Sequence, residues 1–230
     1  MELAKYIDHT FLKPNGSPAD IAKLCREAKK YGFASVCVHP CEVARCAKLL
    51  KGTDVEVCTV IGFPLGQNTP ETILFEAINS QEDGATELDF VINVAQTKVA
   101  CAKGPESKEA QMQLASWKTI NQTIKESNSQ TLTKLILECC YLTKEEKIYA
   151  CKMAKSAGFD FVKTSTGFAA GGATAEDVRL MRRTVGPEMG VKAAGGIRDC
   201  ETALAMIAAG ATRIGASAGR SLLPRGGSPR

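Results

Sequence analysis

The 230-residue sequence predicts a single (β/α)8 barrel, on three observations. Short β-branched or apolar runs alternate with amphipathic, Ala/Lys/Glu-rich stretches along the whole chain, the alternation recurs eight times, and the last strands end in glycine-rich loops. Strands that alternate with helices imply a parallel sheet, and eight such units in this length suit a closed barrel. An open doubly wound sheet is disfavoured because no G-x-G-x-x-G follows the first strand. With 44% hydrophobic residues the chain can bury one large core, so one domain is expected over residues 1–219. The segment 220–230, which carries Pro224, Gly226, Gly227 and Pro229 without periodicity, is expected to be a flexible tail.

The elements follow in order. The first strand is read at Tyr6–His9, and Ser17-Pro18 opens a helix to about Tyr31 as an N-cap with proline at the first helical position. Phe33–Val38 is the second strand and leads into a Cys41–Leu50 helix. Val55–Ile61 is the third, before a helix over Pro70–Gln81, and Glu87–Asn93 is the fourth, before a long polar helix around Lys108–Glu126. Leu135–Cys139 is the fifth, and Thr143-Lys144-Glu145-Glu146 starts the next helix as a capping box. Phe159–Thr164 is the sixth, followed by a helix capped at Thr174-Ala175-Glu176-Asp177. Gly190–Ala194, an Asp199–Ala209 helix and Thr212–Gly215 complete the pattern.

Composition excludes several classes. The net charge is +4 and basic residues are dispersed among acidic ones, so neither nucleic acid nor a membrane surface is expected as a partner. Met1-Glu2-Leu3-Ala4-Lys5-Tyr6 lacks the basic start and apolar stretch of a secretory signal, and no apolar run approaches membrane-spanning length. A cytoplasmic location is expected. The ten cysteines form no C-x-x-C pair and only His9 and His39 could join them, so reduced, mostly buried thiols are expected, with no metal site and no cofactor.

In a barrel the C-terminal strand ends point into the active-site mouth. Asp89, Glu138, Lys163 and Lys192 each interrupt an apolar run there. They could be ordinary rim charges or structural ion pairs. Two lysines and an aspartate on strands that a barrel brings together favour chemistry instead. An amine beside a second cation in a partly dry pocket gives up its proton more readily, which is what attack on a carbonyl requires. Spacing alone leaves open which lysine is the nucleophile, and Glu138 has no assigned role. Thr164-Ser165-Thr166-Gly167, with Gly171-Gly172, then Gly195-Gly196 and Gly215-Ala216-Ser217 follow the last three strands. That placement matches the usual phosphate site of such barrels, so a phosphorylated small molecule is the expected partner. Cys37 reads by default as a buried strand thiol. Asp8-His9-Thr10 reads equally as substrate contacts or as plain strand-end polar residues.

The motifs Ile7-Asp8-His9-Thr10, Ser35-Val36-Cys37-Val38-His39-Pro40, Val60-Ile61-Gly62-Phe63-Pro64-Leu65-Gly66 and Glu87-Leu88-Asp89 belong together with three later ones. These are Phe161-Val162-Lys163-Thr164-Ser165-Thr166-Gly167, Gly190-Val191-Lys192-Ala193-Ala194-Gly195-Gly196 and Arg213-Ile214-Gly215. From about Ile7 to Gly219 the chain resembles the deoxyribose-phosphate aldolase family. The resemblance implies reversible, metal-free cleavage of 2-deoxy-D-ribose 5-phosphate to acetaldehyde and D-glyceraldehyde 3-phosphate. It implies a Schiff base on Lys163, tuned by Lys192, with Asp89 as the proton-relay carboxylate. By the same resemblance Cys37 lines the pocket and Asp8 and Thr10 lie near the substrate hydroxyl, while Thr166, Gly167, Gly195, Gly196 and Ser217 are the substrate contacts expected from the phosphate loops above; a homo-oligomer, dimer or tetramer, is left open. Where the family usually carries a further serine in the last loop, this chain has Ala218, which implies one hydroxyl donor fewer. A metal-dependent phosphosugar barrel and a non-catalytic phosphate-binding barrel are the competing readings.

Overall fold

The computed structural model describes residues 2–224. Eight parallel strands close a barrel in chain order: β1 Ile7–Phe11, β2 Ser35–Val38, β3 Glu56–Ile61, β4 Glu87–Val91, β5 Leu132–Ile136, β6 Phe161–Lys163, β7 Gly190–Ala194 and β8 Arg213–Ala216. The helices are α1 Pro18–Tyr31, α2 Val43–Leu50, α3 Pro70–Glu82, α4 Val94–Lys103, α5 Lys108–Ser127, α6 Lys144–Ser156, α7 Ala175–Val185, α8 Cys200–Ala208 and α9 Gly219–Leu222. No helix among the described residues is long and apolar enough to cross a membrane.

The cap residues act as their chemistry dictates. Ser17 with Asp20 and Thr143 with Glu146 form reciprocal capping boxes, and Thr174 and Asp199 accept from Asp177 N–H and Thr202 N–H. Along each strand the side chains alternate. Val36, Val38, Leu88, Phe90, Leu135, Val162, Val191 and Ile214 belong to the main core between barrel and helices. A T-shaped trio of Phe90, Trp117 and Phe159 fills one part of it. The intervening residues point inward, and there the filling is ionic: Asp8, Glu87, Asp89, Lys134, Lys163, Lys192 and Arg213 contact one another. Phe161 lies with them, its ring 5.7 Å from the Arg213 guanidinium. A Cβ on Gly190 would come within 2.2 Å of that ring, so only glycine leaves it room.

Several strand ends shift by one or two residues from the sequence reading, and four differences matter more. β1 runs on to Phe11. β5 lies three residues earlier than expected, because Glu138 adopts a left-handed turn that ends the extended chain. α4 was not anticipated; its apolar residues Val94, Ala95, Val99, Ala100 and Cys101 surround the axis instead of forming one stripe, and only Thr97 and Ala100 are buried. The domain also continues past Gly219: α9 follows, with Leu222 fully buried. The rest of the expected tail, 225–230, lies outside the described residues.

Candidate active site

A cavity of about 310 Å³ opens at the C-terminal ends of β6, β7 and β8, where barrel active sites form. Thr10, Lys13, Lys163, Thr166, Gly167, Phe168, Gly195, Gly196, Arg198 and Ser217 line it. Beneath it lies the ionic cluster. Asp8 Oδ1 is 2.5 Å from Arg213 Nη1, Arg213 Nη2 is 2.9 Å from Glu87 Oε1, and Glu87 Oε2 is 2.6 Å from Lys134 Nζ. Lys134 Nζ is 2.7 Å from Asp89 Oδ1, Asp89 Oδ2 is 2.7 Å from Lys192 Nζ, and Lys192 Nζ is 2.5 Å from Asp8 Oδ2. Three carboxylates and three cations thus alternate in a closed ring whose charges cancel. Lys163 stands outside it, attached only at Asp89 Oδ2, 2.8 Å away. Each ring cation spans two carboxylates, whereas Lys163 has one.

The strand register accounts for the ring. Asp89 pairs with Lys134 across β4 and β5, and Lys163 with Lys192 across β6 and β7. Residues in register on adjacent strands point to the same face of the sheet, here the barrel interior. Burial by itself would push the Asp89 carboxyl up, but Lys134, Lys163 and Lys192 override it and hold it well below the carboxylate range. Burial would raise the Asp8 carboxyl too, and Arg213 followed by Lys192 holds it down. For Lys192, burial favours the neutral amine, yet Asp8 and then Asp89 keep it charged far above the usual lysine range. Cys58 donates its S–H to Asp89 Oδ1 at 3.2 Å, and burial keeps that thiol protonated.

These shifts set an acid limit. A carboxyl depressed in the fold contributes stability that is present above its unfolded value, about 3.9, and is lost as pH falls through the folded one. The carboxylates' contribution to the urea midpoint is therefore expected to be intact above about pH 5 and to be lost below about pH 4, with Asp8→Asn flattening that acid drop. An equally steep drop in the variant would remove Asp8 from this account.

Two trios of potential metal-ligand atoms lie close together, Cys37/Cys58/Asp89 and Asp8/Cys58/Glu87. Their carboxylate oxygens already face ammonium and guanidinium groups at 2.5–2.9 Å, and those cations repel a metal ion from the same centre. The residues do not fit a metal.

The structure distributes the expected site residues unevenly. Lys163, Thr10, Thr166, Gly167, Gly195, Gly196 and Ser217 line the cavity, whereas Lys192 and Asp89 lie directly beneath it with no exposed surface. Asp8 is not a cavity residue: it is fully buried and committed to Lys192 and Arg213. Cys37 is also fully buried, in a small cluster with Leu12, Cys58 and Val60, as its default reading had it. Thr166 lines the cavity, but its N–H and hydroxyl both point to Glu138. Ala218 directly follows the lining residue Ser217, at the N-cap of α9. His39 holds Leu12 O at 3.0 Å, a rim role.

The sequence reading passed over Lys134 and quoted Glu87 and Arg213 within motifs without giving them a role. Lys134 interrupts an apolar strand just as Lys163 does, and a strand begun at Leu132 would have included it. At the phosphate-like end, Gly195 and Gly196 have φ of 92 and 81. Gly172 packs so closely on Gly195 that a Cβ there would lie 2.4 Å from Gly195 O.

Residues 3–224 match the sequence profile of the DeoC/LacD family aldolases. The chain belongs to that family. It is 56% identical to a deoxyribose-phosphate aldolase of Geobacillus sp. (strain WCH70), over 96% of this chain and 94% of that one. It is 56% identical to a deoxyribose-phosphate aldolase of Clostridium perfringens (strain 13 / Type A), over 94% and 92%. Among solved structures, the tetrameric deoxyribose phosphate aldolase of Aeropyrum pernix superposes with a TM-score of 0.84 at 34% identity, covering 96% of this chain and 88% of that one. An aldolase designated QR15 superposes with a TM-score of 0.85 at 39% identity, covering 96% and 93%. As an aldolase family member the chain is an enzyme that makes or breaks a carbon–carbon bond, and the cavity sits where such a barrel does its chemistry.

Proposed function

We propose that this enzyme reversibly cleaves 2-deoxy-D-ribose 5-phosphate to D-glyceraldehyde 3-phosphate and acetaldehyde through a Schiff base on Lys163. The observation that carries the reading is that Lys163 alone among the clustered cations both faces the cavity and stands outside the neutral ring. The ring therefore stays balanced when Lys163 acts as a neutral amine. A lysine amine attacks an aldehyde to give a carbinolamine, which loses water to form the imine. The imine draws electrons as the C3 hydroxyl gives up its proton and the C2–C3 bond breaks. Glyceraldehyde 3-phosphate leaves, the enamine takes a proton at carbon, and water releases acetaldehyde. Asp89, bonded to the Nζ atoms of both Lys163 and Lys192, passes protons between Lys192 and the reacting nitrogen. Gly167, Gly195, Gly196 and Ser217, with Lys13 and Arg198, receive the phosphate. A cavity of about 310 Å³ is at the small end of ligand sites, which suits a five-carbon sugar phosphate.

The enzyme acts in the cytoplasm, with no nucleic-acid partner, as a homo-oligomer; the tetrameric Aeropyrum pernix relative supports the last point. The test is reductive trapping. Incubation with acetaldehyde or deoxyribose 5-phosphate followed by borohydride is expected to modify Lys163, as located by peptide mass spectrometry, with turnover insensitive to chelators. An adduct on Lys192 would reverse the two lysine roles, and loss of turnover in chelator would favour a metal-dependent reaction.

A further inference from the structure

Past the end of β5 the chain turns through Glu138 with φ 52 and ψ 63, the one non-glycine residue with positive φ among the described residues. Steric crowding disfavours that conformation, so the surroundings must hold it, and the loop that follows the Lys163 strand does so. Cys139 N–H donates to Thr164 O at 2.9 Å. The Glu138 carboxylate accepts the Thr166 N–H, with distances of 3.2 and 3.3 Å to its two oxygens, and also the Thr166 hydroxyl. The hydroxyl oxygen in turn accepts Phe168 N–H at 3.0 Å, and the Phe168 ring meets Phe63 edge-on with centroids 5.2 Å apart. Glu138 is 4% exposed, and Thr166 donors rather than a cation meet its carboxylate. A buried anion beside an anion-binding cavity repels the ligand, so a second effect must outweigh that repulsion.

We infer that Glu138 is a positioning residue for the phosphate loop. It withdraws both Thr166 donors from the ligand and clamps residues 164–168, leaving Gly167, with φ 86 and open space where a Cβ would stand, as backbone that the anion can approach. The inference rests on the proposed reading of the cavity as a phosphosugar site.

Inorganic phosphate is the probe, titrated calorimetrically into the full chain, alongside kcat and KM for deoxyribose 5-phosphate and for unphosphorylated deoxyribose. Glu138→Gln keeps an acceptor for Thr166 and removes the charge, so phosphate Kd should hold or tighten. Glu138→Ala frees the loop and should raise phosphate Kd and the KM for deoxyribose 5-phosphate about tenfold, while the KM for deoxyribose stays within about twofold. Thr166→Val cuts the clamp from its other end and should shift phosphate Kd in the same direction, which covers the case in which Glu138→Ala does not fold. If Gln and Ala both tighten phosphate, the role is charge alone; if KM rises equally for both sugars, the role is general stability. Either result overturns the inference, as does failure of the wild-type chain to bind phosphate. Phosphate titration needs no turnover, so an inactive wild type that still shows the opposite signs for Gln and Ala would count against the aldolase reading and not against Glu138.

Discussion

Lys163→Ala is expected to reduce turnover below detection and to abolish reductive trapping while leaving the protein folded. Nothing else that lines the cavity offers an amine bonded to Asp89, so no other residue can carry the imine. The fold should survive because the variant removes only the charge that the ring does not need. Its loss of unfolding free energy should stay below the roughly 3–5 kcal/mol that removing one partner of a buried ion pair typically costs, because Asp89 keeps Lys134 and Lys192. Borohydride trapping that persists in Lys163→Ala would sink the assignment. A large loss of stability would show instead that Lys163 belongs to the balanced set.

Asp89→Asn should behave in the opposite way and damage both properties. Asp89 is the one carboxylate that meets three ammonium groups, on Lys134, Lys163 and Lys192. An amide of the same shape leaves those cations facing a neutral group, and removing one partner from a buried ion pair typically costs about 3–5 kcal/mol. Turnover should fall about a hundredfold or more, the scale of a positioned proton transfer. Urea unfolding and steady-state kinetics on the same preparation read both effects. Near-wild-type kcat would take Asp89 out of the mechanism, and unchanged stability would mean that one lysine simply sheds its proton in response.

The contrast between these variants also shows what was legible in the chain. The barrel could be read because the outer faces of its strands, such as Leu88, Phe90, Val162 and Val191, pack on helices and give apolar runs, while capping residues such as Ser17 and Thr143 mark where helices start. Asp89, Lys163 and Lys192 stood out because they break those runs. Lys134 breaks one too, but the strand had been placed over the apolar stretch beginning at Leu135, which left it outside. Asp8 and Arg213 were read within motifs but not as partners, since only closure of the barrel puts β8 beside β1. Glu138 was noticed and left without a role for a related reason: its backbone torsion and its bond to Thr166 exist only in three dimensions. A resemblance between sequences carried Asp8 and Cys37 to the substrate; what the sequence did not give is their packing, Asp8 within the charge ring and Cys37 beside Leu12, Cys58 and Val60.

The closed ring also has a bearing on the order in which the chain is made. Its Asp8–Arg213 link joins the first strand to the last, across 205 positions of sequence. A chain still emerging from the ribosome, complete through β7, already contains Asp8, Glu87 and Asp89 but lacks the guanidinium that bridges the first two. Closing the barrel interior at that stage would leave Asp8 with Lys192 alone and Glu87 with Lys134 alone, and the ring one positive charge short, an imbalance that burial makes costly. The final strand therefore completes the wall and delivers the missing charge together, so the reactive amine acquires its dry, balanced setting only when β8 is in place beside β1.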